Sequence, residues 1–232
     1  MSKLLRRVRE QPSAVGVWLV RLPQHPLADA VTNDLISRLD DDTRHRVLRY
    51  EQPERDRTLV GHAALRRLLA PELGIDAAAI TLTRLCATCG STDHGKPSLA
   101  GVPDIEFSLS HSADLVAVAI AGVPVGVDVE RRSTGTDWAS IRSDTFGDDE
   151  WVDDPTALTD LWARKEAVAK ATGFGMSRPL SGIRPTGDGG QWQAGAATGW
   201  DLPASTHSAA VAVLGDEPGV APVVAWLDLG LG

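Results

Sequence analysis

Two acidic residues alternate with valines in one short apolar segment of this chain, Val125-Gly126-Val127-Asp128-Val129-Glu130. Alternate side chains of a strand share a face, so the valines are predicted to enter the core while Asp128 and Glu130 project together on the other face. The segment therefore predicts a pair of neighbouring carboxylates at positions 128 and 130.

A third acid and a base occur in Trp162-Ala163-Arg164-Lys165-Glu166-Ala167-Val168-Ala169-Lys170. Glu166 and Lys170 are four positions apart, so a helix would place them on one face. Three converging carboxylates repel one another unless a cation neutralises them, and an all-oxygen ligand set suits Mg²⁺ rather than zinc. Magnesium in turn indicates phosphate chemistry. The alternatives are a solvated strand face and a surface helix pair worth roughly 0.2–0.5 kcal/mol.

The elements that must position these residues are indicated by hydrophobic periodicity and by turn residues. A helical pattern over 28–50 is predicted to break near Asp40-Asp41-Asp42, with Asp42 as the cap of the helix after the break. The strands of 105–110 and 115–121 are predicted to form a hairpin. The remaining predictions are strands over 15–22, 80–85, 190–194, 209–214 and 223–229, helices over 54–70 and 158–172, a helix-like patch over 138–146, and a loop over 86–99.

Composition excludes several classes of function. The chain has 232 residues, 43% of them apolar, and a net charge of −8. No run of about 18 apolar residues predicts a membrane span, and the acidic balance argues against nonspecific nucleic-acid binding. Residues 1–10 are basic without an apolar signal core, so a frayed end and a cytoplasmic protein are expected. Basic residues outnumber acidic ones 13 to 9 over positions 1–67, whereas acids prevail 10 to 3 over 128–160. This segregation is typical either of ordinary solvated surface or of an anionic ligand held by the N-terminal half and a metal held by the C-terminal half.

The two cysteines, Cys86 and Cys89, form a Cys-x-x-Cys pair followed by His94. A closed structural zinc site needs four ligands, and this cluster supplies three. Reduced thiols in a loop are the expected state, with metal binding left open.

The order of four motifs resembles the Sfp-type 4′-phosphopantetheinyl transferases. That family carries a Gly-[Lys/Arg]-Pro turn, a Phe-[Ser/Asn]-x-[Ser/Thr]-His-[Ser/Thr] strand end, a [Val/Ile]-Gly-[Val/Ile]-Asp-[Val/Ile]-Glu strand and a Trp-[Ser/Thr/Cys]-x-Lys-Glu-[Ala/Ser]-x-x-Lys helix. The matching segments here are Gly95-Lys96-Pro97, Phe107-Ser108-Leu109-Ser110-His111-Ser112, and the two segments described above. The resemblance spans roughly residues 39–175. Ala163 stands where the family more often has Ser, Thr or Cys, which affects no catalytic role.

The resemblance implies an α+β fold of two similar halves related by a pseudo-twofold axis, here residues 1–122 and 123–232. It also implies an activity. The family transfers the phosphopantetheine arm of coenzyme A to a serine of an apo acyl or peptidyl carrier protein and releases adenosine 3′,5′-bisphosphate. Mg²⁺ is the expected cofactor, with Mn²⁺ as a substitute, and a chain that carries both halves is expected to act as a monomer.

The resemblance also assigns roles to single residues. Asp128, Glu130 and Glu166 would hold Mg²⁺, Glu166 would take the serine proton directly or through water, and Lys170 would contact the phosphates. Arg44 and Arg46 would bind the 3′-phosphate. The full expected coenzyme A set is Arg44, Arg46, Arg57, Thr58, Gly95, Lys96, Pro97, Ser110, His111, Lys165 and Lys170.

Two other functions are considered. A different Mg²⁺-dependent phosphotransferase is disfavoured because the sequence lacks Gly-x-x-x-x-Gly-Lys-[Ser/Thr] and the kinase signatures. A silent coenzyme A-binding module is disfavoured because the three carboxylates and Lys170 are all retained. The sequence leaves the native carrier open. Since segment 132–160 is itself acidic, contact with an acidic carrier is expected to depend on apolar side chains near Trp138, Phe146 and Trp151.

Overall fold

Two four-stranded sheets and two long helices organise the chain in this computed structural model. The residues described are 3–11, 14–86, 88–133, 135–187, 190–215 and 220–231. The α+β class predicted from the sequence is confirmed. None of the helices in these ranges is long and apolar enough to cross a membrane.

The helices are α1 Lys3–Glu10, α2 Asp29–Ser37, α3 Asp41–Val47, α4 Glu54–Leu73, α5 Arg142–Thr145 and α6 Pro155–Thr172. Short 3₁₀ turns lie at Ala77–Ala79, Trp138–Ile141, Gly175–Ser177 and Leu180–Gly182. The strands are β1 Val15–Arg21, β2 Leu82–Leu85, β3 Lys96–Leu99, β4 Glu106–Ser112, β5 Leu115–Ala121, β6 Val125–Arg131, β7 Gln191–Ala194, β8 Ala197–Asp201, β9 His207–Leu214 and β10 Val223–Trp226.

The first sheet has the order β10-β1-β5-β4, and the second has the order β6-β9-β8-β7. The predicted β4–β5 hairpin is present, with Ser112 paired to Leu115. β2 and β3 form a separate antiparallel pair. β10 runs parallel to β1 at the edge of the first sheet. The last strand of the chain thus belongs to the sheet of the first half, which a division at residue 122 does not predict.

Each sheet carries one long helix. α4 packs on β4 and β5 through a stripe that includes the fully buried Leu59, Val60 and Leu65. α6 packs on β6, β9 and β8. Val125, Val127 and Val129 are fully buried in a core that the two sheets share, as the alternation predicted. The opposite face of β6, which carries Asp128, lies against α6.

The closest approach of β6 to α6 occurs at Gly126. A Cβ atom built there would lie 1.9 Å from the carbonyl oxygen of Ala167, closer than any side chain tolerates. The glycine therefore lets the strand and the helix touch backbone to backbone. Since Ala167 follows Glu166 and Gly126 is two residues before Asp128, this contact fixes the position of Glu166 relative to Asp128.

Serine side chains join the two sheets where their edge strands β4 and β6 meet. The hydroxyl oxygens of Ser108, Ser110 and Ser112 accept hydrogen bonds from the backbone amides of Val127, Val129 and Arg131, at 3.1, 3.3 and 3.0 Å. β4 and β6 are not paired by backbone hydrogen bonds in either sheet. The serines of alternate positions therefore take the place of a strand ladder, and we call this set the serine ladder.

Several local predictions were wrong. Residues 3–10 form α1, whose Val8 is buried against the first sheet, instead of a frayed end. Asp40 rather than Asp42 caps α3, by accepting from the Thr43 amide at 3.1 Å. α4 continues through Pro71 to Leu73 and ends at Gly74, because a proline in the last turn removes only one terminal hydrogen bond. β3 and β8 were not predicted as strands.

The apolar residues expected to meet a carrier protein do not form an exposed patch. Trp138 and Phe146 are 8% and 4% exposed and pack with Leu158 in a small core, with their ring centroids 5.8 Å apart. Both side chains pack against Leu158 and so hold the region around α5 on α6. Trp138 and Phe146 are therefore not exposed for direct contact, whereas Trp151 is partly exposed, and apolar contact of a carrier near these residues stays a prediction.

Replacing Ser108 with alanine tests the serine ladder without touching a carboxylate. The buried Val127 amide would lose its acceptor, so we expect the free energy of unfolding to fall by about 1–3 kcal/mol in urea titrations. Ser98→Ala, on the exposed part of β3, is the matched control and should change stability by no more than about 0.5 kcal/mol. Equal stability of the two variants would contradict the role of the ladder.

Candidate functional site

Asp128, Glu130 and Glu166 are brought together where β6 meets α6. Asp128 is 2% exposed and Glu166 is 9% exposed, while Glu130 is half-buried. Asp128 therefore does not lie on a solvated strand face, since α6 covers that face. The arrangement brings two buried acids and one half-buried acid into the same region, although their carboxylate oxygens do not all lie within 4.8 Å of one another.

Lys170 supplies the opposite charge. Its Nζ donates to Asp128 Oδ1 at 2.6 Å and to Ser110 Oγ at 3.0 Å. Ser110 Oγ in turn donates to Asp128 Oδ1 at 2.9 Å. One ammonium faces three carboxylates, so the region keeps an excess of negative charge when all the acids are ionised.

The pKa values of two acids respond to this excess. Burial, and then the charge of Asp128, raise the pKa of Glu130, although its carboxylate accepts from Ser112 Oγ at 3.0 Å. Burial, and then the charge of Asp128, raise the pKa of Glu166 to about 7 from an ordinary 4.5. Glu166 is therefore able to exchange a proton near neutral pH.

The donor set fits a hard cation. Asp128 Oδ2 and Glu166 Oε1 are buried oxygens for which the described residues provide no hydrogen-bond donor. Buried carboxylate oxygens are normally satisfied, and oxygen ligands of this kind are those that Mg²⁺ prefers. The orphaned oxygens and the raised pKa values are both what a site for a divalent cation would show.

A cavity of about 510 Å³ opens beside Lys170. It lies between α4, β4 and the start of β3 on one side and the end of α6 on the other. The predicted residues that line it are Thr58, Gly95, Lys96, Pro97, Ser110, His111 and Lys170. Both halves of the sequence thus contribute to one cavity.

The Gly95-Lys96-Pro97 turn forms one wall of this cavity. Gly95 has a φ of +107°, and a Cβ atom there would lie 2.5 Å from the Leu85 carbonyl oxygen, so only glycine fits. Arg84 Nη1 donates to the Gly95 carbonyl at 3.0 Å. Lys96 Nζ donates to Glu106 at 2.8 Å and also approaches the Ala171 carbonyl at 3.4 Å, which ties the turn to α6.

His111 lies at the opposite wall, at the end of β4. Its Nε2 is 3.4 Å from Thr58 Oγ1 and 3.6 Å from Glu54 Oε1. Burial is the main cause that lowers the pKa of His111, so the ring is mostly neutral at pH 7. An anionic ligand at this wall would favour the protonated ring.

Seven predicted residues do not line this cavity: Asp128, Glu130 and Glu166 of the acid cluster, Arg46, and Lys165, Arg57 and Arg44. Lys165 is fully buried on another side of α6, where its Nζ donates to Glu150 at 2.8 Å and to the Ile183 carbonyl at 2.5 Å. Arg57 donates to the Ala113 carbonyl at 2.8 Å, beside a different cleft. Arg44 pairs with Asp41 and with the Leu39 carbonyl, both at 3.2 Å.

Arg46 lines a second cavity, of about 320 Å³, that adjoins the first. Its guanidinium donates to Asp42 and to the Asp93 carbonyl, each at 2.8 Å. The residues that line both cavities include Thr58, His62, Arg84, His94 and Gly95. Of the two arginines expected at the 3′-phosphate, only Arg46 therefore faces this space.

The sequence reasoning missed His62, which lines both cavities. Glu54, Thr58 and His62 are spaced by four residues on α4, so helical spacing from Thr58 could have found it. His62 is 6% exposed, and burial followed by the Arg66 charge lower its pKa to about 3, which keeps the ring neutral. Further missed lining residues are Tyr50, Arg84, Phe174 and Ser177.

Comparison with known proteins gives consistent results. A family model described as the 4′-phosphopantetheinyl transferase superfamily matches residues 124–212. A 4′-phosphopantetheinyl transferase from Bacillus subtilis is 30% identical over 174 residues, which cover 71% of this chain and 72% of the relative. The 4′-phosphopantetheinyl transferase Sfp of Bacillus subtilis strain 168 is 28% identical over the same shares. A phosphopantetheinyl transferase from Thraustochytrium is 29% identical over 71% of this chain and 63% of that protein.

The raised pKa of Glu166 predicts a pH-dependent stability that Glu166→Gln should remove. An acid with a raised pKa favours the folded state fully below its unfolded pKa of 4.5 and loses this contribution as pH rises through about 7. In urea titrations with a chelator, we expect the two proteins to be similar near pH 4.5. Above pH 7, the variant should be more stable by roughly 3 kcal/mol, at about 1.4 kcal/mol per pKa unit. A difference that does not change with pH would contradict the assignment.

Proposed function

This chain belongs to the 4′-phosphopantetheinyl transferase family, and on that premise we propose that it transfers the phosphopantetheine arm of coenzyme A to a serine of an apo acyl or peptidyl carrier protein. Adenosine 3′,5′-bisphosphate is the second product. The observation that carries the proposal is the cluster of buried carboxylates and Lys170 at the edge of the cavity formed by α4, β3, β4 and α6.

Coenzyme A is proposed to bind with its nucleotide in this cavity. The support is the chemistry of the walls, which combine the Gly95-Lys96-Pro97 turn with the polar ends of Thr58 and His111. Arg46 in the adjoining cavity is proposed to bind the 3′-phosphate, because a guanidinium fork matches phosphate oxygens. Arg44, Arg57 and Lys165 are left out of the proposed binding set because their side chains line neither of the two cavities.

Asp128, Glu130 and Glu166 are proposed to hold Mg²⁺, with Mn²⁺ as a substitute. When bound, the ion would neutralise charge on the pyrophosphate of coenzyme A as the phosphoanhydride bond breaks. The chain's own contribution is the fixed position of the three acids, which the Gly126 contact and the serine ladder determine. Asp128 and Glu166 each offer an oxygen that has no donor among the described residues.

Glu166 and Lys170 are proposed as the catalytic residues. The Glu166 carboxylate is suited to accept the proton of the carrier serine, directly or through water, since its pKa of about 7 is near the working pH of a general base. The Lys170 ammonium lines the cavity and carries a positive charge next to the expected leaving group. Ser110 receives one of the Lys170 hydrogen bonds and so orients the ammonium.

The two halves of the chain are proposed to be related by a pseudo-twofold axis. In support, the chain forms two four-stranded sheets that each carry one long helix, α4 on the first and α6 on the second, although β10 of the first sheet comes from the second half. Since residues of both halves line the cavity in one chain, action as a monomer is also proposed.

Glu166→Gln is expected to lower kcat for carrier modification by about 10²–10⁴-fold, the usual contribution of a general base. Mass spectrometry of an apo carrier protein, with and without the phosphopantetheine adduct, measures the rate. Arg164→Ala is the matched control on the same helix. Its partner Asp201, at 2.6 Å, lies away from the cavity, so the rate should be near that of the wild type. Near-normal transfer by Glu166→Gln would overturn the proposed role.

Arg46→Ala and Arg44→Ala should differ in coenzyme A binding. The Arg46 variant is expected to lose roughly 1.5–3 kcal/mol of binding free energy toward coenzyme A, the value of a charge-assisted contact, and little toward the analogue that lacks the 3′-phosphate. The Arg44 variant should bind both ligands as the wild type does, because Arg44 faces neither cavity. Calorimetry on both ligands decides this, and equal losses for the two ligands in Arg46→Ala would refute the contact.

A further inference from the structure

The loop between β2 and β3 gathers three side chains that ligate soft metals. One ligand atom each of Cys86, Cys89 and His94 lies within 4.8 Å of the other two. Cys89 Sγ and His94 Nε2 are 3.4 Å apart. In the parts of the chain that the structure describes, no other three His, Cys, Asp or Glu residues bring ligand atoms this close, and that includes Asp128, Glu130 and Glu166.

These distances are near those of a tetrahedral zinc site. With Zn–S bonds of about 2.3 Å and Zn–N bonds of about 2.0–2.1 Å, tetrahedral geometry separates the ligand atoms by roughly 3.4–3.8 Å. The Cys89–His94 pair already has this separation. Small side-chain rotations would bring the remaining pairs, at no more than 4.8 Å, to the same range.

The backbone of the loop is folded around the Cys86 sulfur. The Cys86 amide donates to the Ser91 carbonyl at 2.8 Å, and the Gly90 amide donates to the Cys86 carbonyl at 2.9 Å. Gly90 has a φ of +73°, which lets the chain reverse directly after Cys89. The backbone amides of Cys89 and Thr88 hydrogen-bond to the sulfur of Cys86. Amides that point at a sulfur in this way also stabilise a metal-bound thiolate.

The site is accessible and the sulfurs are reduced. Cys89 and His94 are exposed and Cys86 is partly buried, so an ion can enter from solvent. Both cysteines are free thiols in the structure. Ala87, between them, lies outside the described residues and would supply no ligand atom.

We propose that Cys86, Cys89 and His94 bind one zinc-type divalent cation, with water or an outside ligand in the fourth position. Two thiolates and an imidazole select zinc over magnesium, so this site is distinct in chemistry from the carboxylate cluster. Binding involves no redox step. The ion replaces the protons of the two thiols, which are released to solvent, and the imidazole binds in its neutral form.

The bound ion would stabilise the loop that forms one wall of the proposed nucleotide cavity. His94 immediately precedes Gly95, and Cys86 follows the residue whose carbonyl lies against Gly95. Cys86, His94 and Gly95 all line the larger cavity. This consequence for coenzyme A rests on the proposed function, whereas the binding of the metal does not.

Co²⁺ is a suitable probe because its thiolate complexes absorb by sulfur-to-metal charge transfer, which carboxylates cannot produce. The full chain is reduced, freed of metal with a chelator, shown by thiol titration to have both thiols free, and then titrated with Co²⁺. We expect a thiolate charge-transfer band that saturates at one equivalent and is abolished by one equivalent of Zn²⁺. Cys89→Ser and His94→Ala should each weaken Co²⁺ binding by at least about tenfold.

Two controls keep the test specific. His25→Ala, at another exposed histidine, should bind Co²⁺ as the wild type does, and circular dichroism verifies that each variant is folded. Absence of the band in the fully reduced chain, or an unchanged band in folded Cys89→Ser, would overturn the proposal. Neither result would bear on the transfer reaction, which is measured separately by carrier modification.

Discussion

The hydrogen bonds between the serines of β4 and the backbone of β6 determine where the acids of the site lie. Ser110 and Ser112 each accept from a β6 amide and donate to the adjacent β6 carboxylate, at 2.9 Å to Asp128 and 3.0 Å to Glu130. A hydroxyl can do both at once because it carries one donor and two acceptor sites. The same serine ladder therefore joins two sheets and orients two acids, so the site and the fold are held by the same bonds.

The second determinant of the site is the excess of negative charge that remains when three acids face the single ammonium of Lys170. Burial raises the free energy of each ionised acid, and Lys170 relieves only part of the repulsion among the three. The acids are held in place by close packing, with Gly126 against Ala167 and a core of valines behind β6. Binding of a cation, or retention of a proton on Glu166, would lower the free energy of this region. Either outcome is useful to an enzyme that moves a phosphoryl group.

The parts of this architecture that local sequence patterns determine could be predicted. The alternation of valines with Asp128 and Glu130 located β6, and the i, i+4 spacing of Glu166 and Lys170 located the face of α6 that lies near Asp128. The burial of Asp128 could not be predicted, because it depends on α6 covering the face of β6 from a distant part of the chain. Lys165 is next to Glu166 in sequence but turns to Glu150, a partner that only tertiary packing supplies.

The dependence on tertiary packing also explains why the surroundings of the arginines and of the aromatic residues could not be predicted. Arg44 and Arg46 are two positions apart on α3, so they point in different directions, and only the position of the β2–β3 loop decides which one faces the cavity. Trp138 and Phe146 were expected at the surface because their segment is acidic. The composition of the segment does not reveal that both aromatic rings pack with Leu158 in a buried cluster.

The pairing of β10 with β1 has a consequence for how the molecule comes apart. The chain begins its first sheet with β1, builds the whole second sheet, and then returns so that Val223–Trp226 runs beside β1. The second sheet-and-helix unit is consequently inserted within the first, so removing everything after β5 would also strip the edge strand β10 from the first sheet. The two units are therefore linked by two stretches of chain, one before β6 and one after β9, so the cavity between them is bounded by elements tied together at both ends of the second unit.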